Sequence, residues 1–146
     1  MSDWWSKRAR RLSRLRHPGE LVLFGRITLF AALVPVLLRL ELPALRSLLP
    51  PRRVPAWTDV DRVARIARLT DAALGMGWPF VRRGCLIRGV TLYYFISRTG
   101  LPVSLCFGMG QVDGQFAGHC WLINDGEPFL EQHDPRALFT PVYAIP

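Results

Sequence analysis

Hydrophobic residues dominate the first third of the chain, but their pattern does not predict a stretch long enough to span a membrane. An apolar run fills residues 21–38, behind a basic opening segment. Arg26 and Arg39 leave 12 residues between them, whereas a transmembrane helix needs about 20, and Pro35 lies inside the run. We therefore predict two amphipathic helices that meet near Pro35 and bury their apolar sides on the main domain or on a partner.

The same segment imitates a secretory signal peptide, because positive charge precedes an apolar stretch. No small-x-small cleavage site follows, and the chain continues with charged and apolar residues instead. A proline-rich link over residues 49–55 then separates this part from the rest. We predict a basic, apolar helical segment over residues 1–55 and a second domain over residues 56–146.

A helix is predicted directly after the proline-rich link. Thr58 as N-cap and Asp61 three residues later are typical of a helix start, and Gly75 and Gly77 would end the helix. Its inner face is formed by apolar residues at helical spacing: Val60, Val63, Ala64, Ala67 and Leu74.

A second helix is predicted over residues 85–97, with Gly100 as its stop. Its apolar residues lie on almost every side, which indicates a buried helix. Cys85 is the first residue of this pattern. Any reactive group there would therefore sit at a helix N-terminus against the core.

Strand patterns with hairpin turns between them fill the last third of the chain. Apolar runs cover residues 103–107 and 116–123, and turn sequences occur at Asp113-Gly114 and Asn124-Asp125-Gly126. Helices therefore come first and an antiparallel sheet follows. The predicted fold class is α+β, with the helix that bears Cys85 packed on the sheet.

Net charge is concentrated at one end of the chain. The formal net charge is +8, and residues 1–57 account for all of it, because acidic and basic residues balance in the remainder. An acidic partner, a peptide or a membrane surface would be met there, unless the charge is only a solvated basic face. No nucleic-acid-binding motif is visible, and nucleic acid is not expected as a partner.

The cysteines bear on the compartment and on the chemistry. Cys85, Cys106 and Cys120 form no CxxC pair, and their odd, low number fits a reducing compartment, so that we expect a cytoplasmic protein. A zinc site built from the cysteines and His119 lacks any ligand spacing. No metal and no cofactor is expected.

Cys85 and His119 are the candidate nucleophile and base. Unpaired amides in the first turn of a helix stabilise a thiolate and can donate to an oxyanion. A histidine is the natural base for a nearby thiol. The structural alternative is an inert core cysteine and a structural histidine. Cys106 and Cys120 look structural, because strand alternation points Cys120 away from His119.

The acid that would orient His119 depends on the length of one turn. A two-residue loop at residues 125–126 would place Glu131 opposite Cys120. A three-residue loop at residues 124–126 would pair His119 directly with Glu131 on one face of the sheet. We favour the three-residue loop and predict Glu131 as the third member of a triad. Three other residues stay alternatives for that role: Gln132, Asp134 and Asp125.

These residues resemble the B2 proteins of lasso peptide biosynthesis, a family with a transglutaminase-like fold. The similarity is carried by four stretches: Gly84-Cys85-Leu86, Phe107-Gly108-Met109, Gly118-His119-Cys120-Trp121-Leu122 and Asp125-Gly126-Glu127-Pro128. The resemblance implies a bacterial cysteine protease with Cys85 as nucleophile and His119 as base. Glu131 stands at the position of the family's triad aspartate, and Cys120 stands where the family often has alanine.

The same resemblance implies a function and partners. The family removes the leader peptide from a ribosomally made lasso peptide precursor, together with a separate leader-binding protein of the B1 type and an ATP-dependent macrocyclase. Two other functions stay open: a non-catalytic scaffold that binds precursor and cyclase through residues 1–57, and acyl transfer of the transglutaminase type. Peripheral membrane contact of the N-terminal segment is a further alternative.

Overall fold

The computed structural model describes residues 17–39, 47, 59–77 and 84–146, in which helices precede a sheet. The elements in chain order are helices α1 (Pro18–Leu37), α2 (Val60–Gly75) and α3 (Cys85–Ile96), a 3₁₀ turn (Ser97–Thr99), strands β1 (Ser104–Val112), β2 (Gln115–Asn124) and β3 (Glu127–Phe129), a second 3₁₀ turn (Pro135–Ala137) and strand β4 (Phe139–Ile145). The predicted α+β class is confirmed.

Helix α1 is continuous through Pro35 and ends two residues later, at Leu37, so that the predicted break at Pro35 is wrong; the second helix of that prediction falls on a segment of which only residue 47 is described. Proline lacks the N–H that bonds the carbonyl four residues earlier. Pro35 lies in the last turn, however, where a single missing bond is tolerated, and the Leu38 amide still bonds the Val34 carbonyl at 2.8 Å. The inner side of α1 is buried through four residues: Phe24, Ile27, Ala31 and Val34.

The outer side of α1 is also apolar, contrary to the predicted amphipathic pattern. Its exposed large residues are Leu21, Val22, Leu29, Leu33 and Val36. Contrary to the prediction, α1 meets the requirement for a membrane-crossing helix by length and composition, a test that buried core helices and signal sequences also pass. Its inner side joins the core formed with α2 and α3. The boundary between residues 55 and 56 stays a prediction.

Helix α2 begins one residue later than predicted. Asp59 is its N-cap, because the Asp59 carboxylate accepts a hydrogen bond from the Arg62 amide at 3.0 Å; the predicted cap, Thr58, lies outside the described residues. The helix ends at Gly75, and Gly77 has a φ of 63°, in agreement with the prediction. Two residues predicted on the inner face are exposed: Val60 and Ala64.

Helix α3 is buried on nearly every side, as its sequence predicts. One side meets α1 and α2, where the rings of Phe30 and Tyr94 stack with centroids 4.1 Å apart. The other side lies on the sheet. Gly89 permits this contact, because a Cβ there would come within 2.7 Å of the Cys120 sulfur. Gly100, with a φ of 93°, ends the 3₁₀ turn after the helix.

The four strands form an antiparallel sheet in the order β3-β2-β1-β4. Both hairpins have two-residue loops, Asp113-Gly114 and Asp125-Gly126, and all four loop residues have positive φ, as type I′ turns require. Asn124 pairs with Glu127, so that the predicted three-residue loop is wrong. The shorter loop forms because aspartate tolerates a left-handed φ and because type I′ turns match the twist of the strands.

Candidate active site

Cys85 is the first residue of α3 and is half-buried. Gly84 is the N-cap, and as a glycine it has no side chain that could accept a hydrogen bond from the first turn. The first main-chain bond of the helix joins the Arg88 amide to the Gly84 carbonyl at 3.0 Å, which leaves the earlier amides without an intrahelical partner. Such amides stabilise negative charge beside them. A groove of about 320 Å³ runs past Cys85 between the end of α2 and the start of α3.

The Cys85 sulfur lies against strand β2, 4.0 Å from the Gly118 carbonyl oxygen. Gly118 directly precedes His119 along the strand. Within residues 17–39, 59–77 and 84–146, the thiol has its hydrogen bond with this carbonyl and shares none with the imidazole. The structure therefore brings the predicted nucleophile next to the strand of the predicted base, without a hydrogen bond to its ring among the described residues.

The ring of His119 is held between two aromatic side chains. The Trp121 ring lies at 5.8 Å and the Phe139 ring at 5.1 Å, measured between centroids. Gly108, opposite His119 on β1, leaves room for this layer, since a Cβ there would come within 2.5 Å of the Trp121 ring. His119 Nε2 lies 3.3 Å from Oε2 of Glu131. Nδ1 is the ring nitrogen that remains for a thiol proton.

Strand alternation places His119 and Cys120 on opposite faces of the sheet, at the edge of β2 that the Cys85 sulfur touches. Cys120 packs beneath α3, and strand alternation turns the next side chain, His119, to the other face. The predicted opposition of Cys120 and His119 is thus present. The face that carries α3 is the face of Cys120, whereas His119 lines a cavity with Arg88 of α3 and Glu131.

Glu131 reaches His119 by a route that the sequence did not indicate. With a two-residue loop, a continuous strand would place Glu131 opposite Cys120. Strand β3 ends at Phe129 instead, and Leu130 has a left-handed φ of 61°. This backbone turn redirects the next side chain, and Glu131 contacts His119 from the loop after β3.

The alternatives to Glu131 are engaged elsewhere or lack the contact. Asp134 caps the second 3₁₀ turn and bonds the Arg136 guanidinium at 2.9 Å, which holds the pKa of the Asp134 carboxyl below its ordinary value. Asp125 is exposed in the β2–β3 turn. Gln132 lines a cavity of about 570 Å³ beside His119. In the described part of the chain, Glu131 is the hydrogen-bond partner of the imidazole.

Arg88 joins the two halves of the site, and the sequence-based search for site residues missed it. Its Nε bonds Asp71 at 2.8 Å, its Nη1 bonds Glu131 at 3.1 Å and its Nη2 bonds the Leu130 carbonyl at 3.1 Å. The side chain crosses from α3 to the loop that holds the acid. One feature of the sequence indicates that Arg88 belongs to the site. It lies three residues after Cys85, which places both side chains on one side of the helix.

Cys106 and Cys120 are buried, as predicted for structural cysteines. Burial raises the pKa of both thiols, and for Cys120 the neighbouring Cys85 raises it further. Both therefore stay protonated and unreactive near neutral pH. The described residues contain no group of three or more metal-ligating side chains.

Comparison with known proteins supplies the family. The model of the transglutaminase-like superfamily matches residues 28–144, a range that includes Cys85, His119 and Glu131. Neither the curated proteins nor the solved structures contain a significant match to the chain. The superfamily includes cysteine proteases and acyltransferases. Because the match extends from α1 to β4, the chain belongs to the transglutaminase-like superfamily.

Proposed function

We propose that the protein is a cysteine peptidase with Cys85 as nucleophile, His119 as base and Glu131 as the orienting acid. The observation that carries the proposal is the contact between His119 and Glu131, beside the strand edge that the Cys85 thiol touches. A thiol at a helix N-terminus, a histidine and an acid on the far ring nitrogen are the groups that a thiol protease needs. Membership of the superfamily supports the same class.

The proposed reaction has two halves. His119 Nδ1 takes the thiol proton as the Cys85 sulfur bonds to the peptide carbonyl carbon, and the first-turn amides of α3 stabilise the resulting oxyanion. The carbon–nitrogen bond breaks, and the amine leaves with the proton from His119. Water then attacks the thioester and gives a proton to His119; the acyl group leaves as a carboxylic acid, and the thiol recovers its proton. Glu131 keeps the imidazole oriented throughout.

The first step requires the thiol and the imidazole to approach each other around the edge of β2. Catalytic hydrogen bonds are often long in the free enzyme and tighten when substrate binds. Arg88 already passes this edge from α3 to Glu131, so that the edge does not prevent contact between the two faces.

We further propose that the substrate is the leader of a lasso peptide precursor, with a separate leader-binding protein and an ATP-dependent macrocyclase as partners. The resemblance in residues 84–131 supports this assignment. The exposed apolar side of α1 and the basic charge of residues 1–57 support a partner surface away from the thiol. A cytoplasmic location, with α1 in contact with a partner or a membrane surface, belongs to the same proposal.

The decisive experiment uses the full chain, a lasso peptide precursor and a leader-binding protein of the B1 type. Mass spectrometry should detect leader and core fragments whose summed mass exceeds that of the precursor by one water. The Cys85→Ala variant should form neither fragment, whereas Cys106→Ala, which removes a buried thiol elsewhere, should form both. Cleavage by the Cys85→Ala variant would contradict the proposal.

A non-catalytic scaffold is the second candidate, favoured by the separate partners of the thiol and the imidazole. Under that function, Cys85 alkylates as slowly as an ordinary thiol at neutral pH.

The mass of the product separates hydrolysis from the acyl transfer that other members of the superfamily perform. Hydrolysis adds water and splits the chain, whereas crosslinking to an amine releases ammonia and joins two chains.

A further inference from the structure

Among the residues that the structure describes, the first seven residues of the ten-residue strand β2 have no neighbouring strand on one side. Strand β3 has three residues and pairs only with residues 122–124 of β2, although β2 begins at Gln115. In the described ranges, residues 115–121 pair with β1 alone. An unpaired stretch of strand presents N–H and C=O groups that can bind another extended chain.

The register identifies which main-chain groups point outward. In a two-residue hairpin the residues that flank the loop exchange hydrogen bonds, so that Val112 and Gln115 form a bonded pair and every second pair from there is bonded. Phe116 and Gly118 fall in the other set, and their N–H and C=O groups point away from β1. The thiol contact agrees, since Cys85 reaches the Gly118 carbonyl from outside the sheet.

Neither backbone conformation nor close packing among the described residues requires glycine at position 118. Its φ is not positive, and a Cβ there would meet nothing nearer than the Gly108 carbonyl oxygen at 3.8 Å, an ordinary contact. The residue is exposed. A glycine in a strand often marks a place where another backbone approaches closely, and here that place is beside the Cys85 thiol.

We propose that the substrate binds as an added strand: an extended peptide pairs with the main chain of Phe116 and Gly118, and its scissile carbonyl comes to the Cys85 sulfur. A peptide N–H then replaces the thiol as the donor to the Gly118 carbonyl. This inference rests on the proposed peptidase function and gives it a binding mode. The occupant is a polypeptide, because both a donor and an acceptor are presented at every second residue, a pattern that only an extended main chain matches.

Two exposed apolar side chains extend the proposed binding site. Met109 is opposite Gly118 in the register, and Phe116 lies two residues before Gly118, so that all three share the face on which Cys85 lies. The exposed fractions of Met109 and Phe116 are 51% and 79%. The substrate's side chains on this face would rest on them, which favours apolar residues at alternate positions.

The test compares a peptide-bearing electrophile with a plain one. A mixture of acetylated tripeptidyl chloromethyl ketones with randomised residues alkylates Cys85 with loss of chloride, as does chloroacetamide, which has no peptide to pair. The measured quantity is the ratio of the two labelling rates at Cys85, read by mass spectrometry. We expect a ratio well above one in the wild-type chain. Gly118→Pro removes the outward N–H, and Gly118→Ala is its matched control that keeps it.

We expect the ratio for Gly118→Pro to be about tenfold below that for Gly118→Ala, the effect of losing a main-chain hydrogen bond. Equal ratios, or a wild-type ratio near one, would overturn the proposal. Phe116→Pro against Phe116→Ala repeats the comparison at the second outward amide, where proline is equally tolerated at an edge.

Methylated probes test the proposal even if the proline variants fail to fold. The three peptide amides of the probe are N-methylated one at a time and tested on the wild-type chain. If the peptide binds as an added strand, N-methylation should lower the rate of Cys85 labelling at every second amide and leave it unchanged at the amide between. An equal effect at all three amides would refute the proposal. If peptide-dependent labelling follows this pattern but precursor is not hydrolysed, the binding mode stands and the peptidase function fails.

Discussion

Replacing Arg88 by glutamine tests how the proposed triad is held together. The change keeps a polar side chain but removes the positive charge and the contacts with Asp71, Leu130 and Glu131. Glu131 then retains only its contact with His119 among those seen in the described chain. We expect the carboxylate to move toward solvent, so that the imidazole loses its fixed orientation.

The magnitude follows from how far water screens each contact. The side chains of Arg88 and Glu131 are 27% and 16% exposed, so that their ion pair is partly shielded. Asp71 is 54% exposed and its pair contributes little. Allowing for solvent, we expect the free energy of unfolding to fall by about 2 kcal/mol. A misplaced imidazole should lower kcat by about 10–100-fold with little change in KM.

Urea denaturation measures the loss of stability, and steady-state kinetics with the precursor peptide measure kcat and KM. Asp71→Asn is the matched control, because it removes the exposed end of the same network. In a double-mutant cycle with Glu131→Gln, adding Arg88→Gln should lower kcat little further, since both variants release the same contact. If the two effects on kcat multiply instead, or if Asp71→Asn lowers kcat as much as Arg88→Gln, Arg88 does not act through Glu131.

Three further predictions concern the core and the thiols. Gly89→Ala should lower the free energy of unfolding by about 1–3 kcal/mol through overpacking, whereas Gly25→Ala, with open space on α1, should not lower it; urea titration compares them. A thiol reagent should modify Cys85 rapidly at neutral pH and Cys106 and Cys120 only after unfolding, because burial raises the pKa of both; equal rates for all three would refute this. Since the folded pKa of Cys120 lies above the unfolded value, its contribution to stability is complete below about pH 8.5 and declines above it, by at most about 1.4 kcal/mol per pH unit; Cys120→Ala should reduce that slope in urea titrations at increasing pH.

Helices α2 and α3 were predictable because their patterns are strong and glycines stand at their ends. Residues 85–97 are apolar on every side, and α3 forms there. The predicted break at Pro35 was wrong. A proline in the middle of a helix removes a hydrogen bond and usually breaks the helix, but only two residues of α1 follow Pro35. Strand β4 was not predicted, and its Pro141 is a residue that is excluded from central strands. It is tolerated because β4 is an edge strand of the sheet.

The site was predictable in its residue types but not in its geometry. A thiol at a predicted helix start and a histidine in a predicted strand suffice to name Cys85 and His119. Arg88 could not be recognised as a link, because its importance depends on a loop that returns to α3 from a position 42 residues later in the chain. Tertiary contacts of that kind leave no periodic pattern in the sequence.

The backbone conformation of Leu130 explains why Glu131 contacts His119 although the predicted length of the β2–β3 loop is wrong. An extra loop residue and a left-handed residue inside a strand each shift the alternation of side chains by one position. The predicted contact required an extra residue in the loop, whereas the molecule has a left-handed residue at Leu130, directly after β3. A left-handed leucine costs about 1–2 kcal/mol, and the hydrogen bond from Arg88 to its carbonyl helps to offset that strain. The arginine therefore supports both the backbone turn that directs Glu131 to His119 and the carboxylate itself.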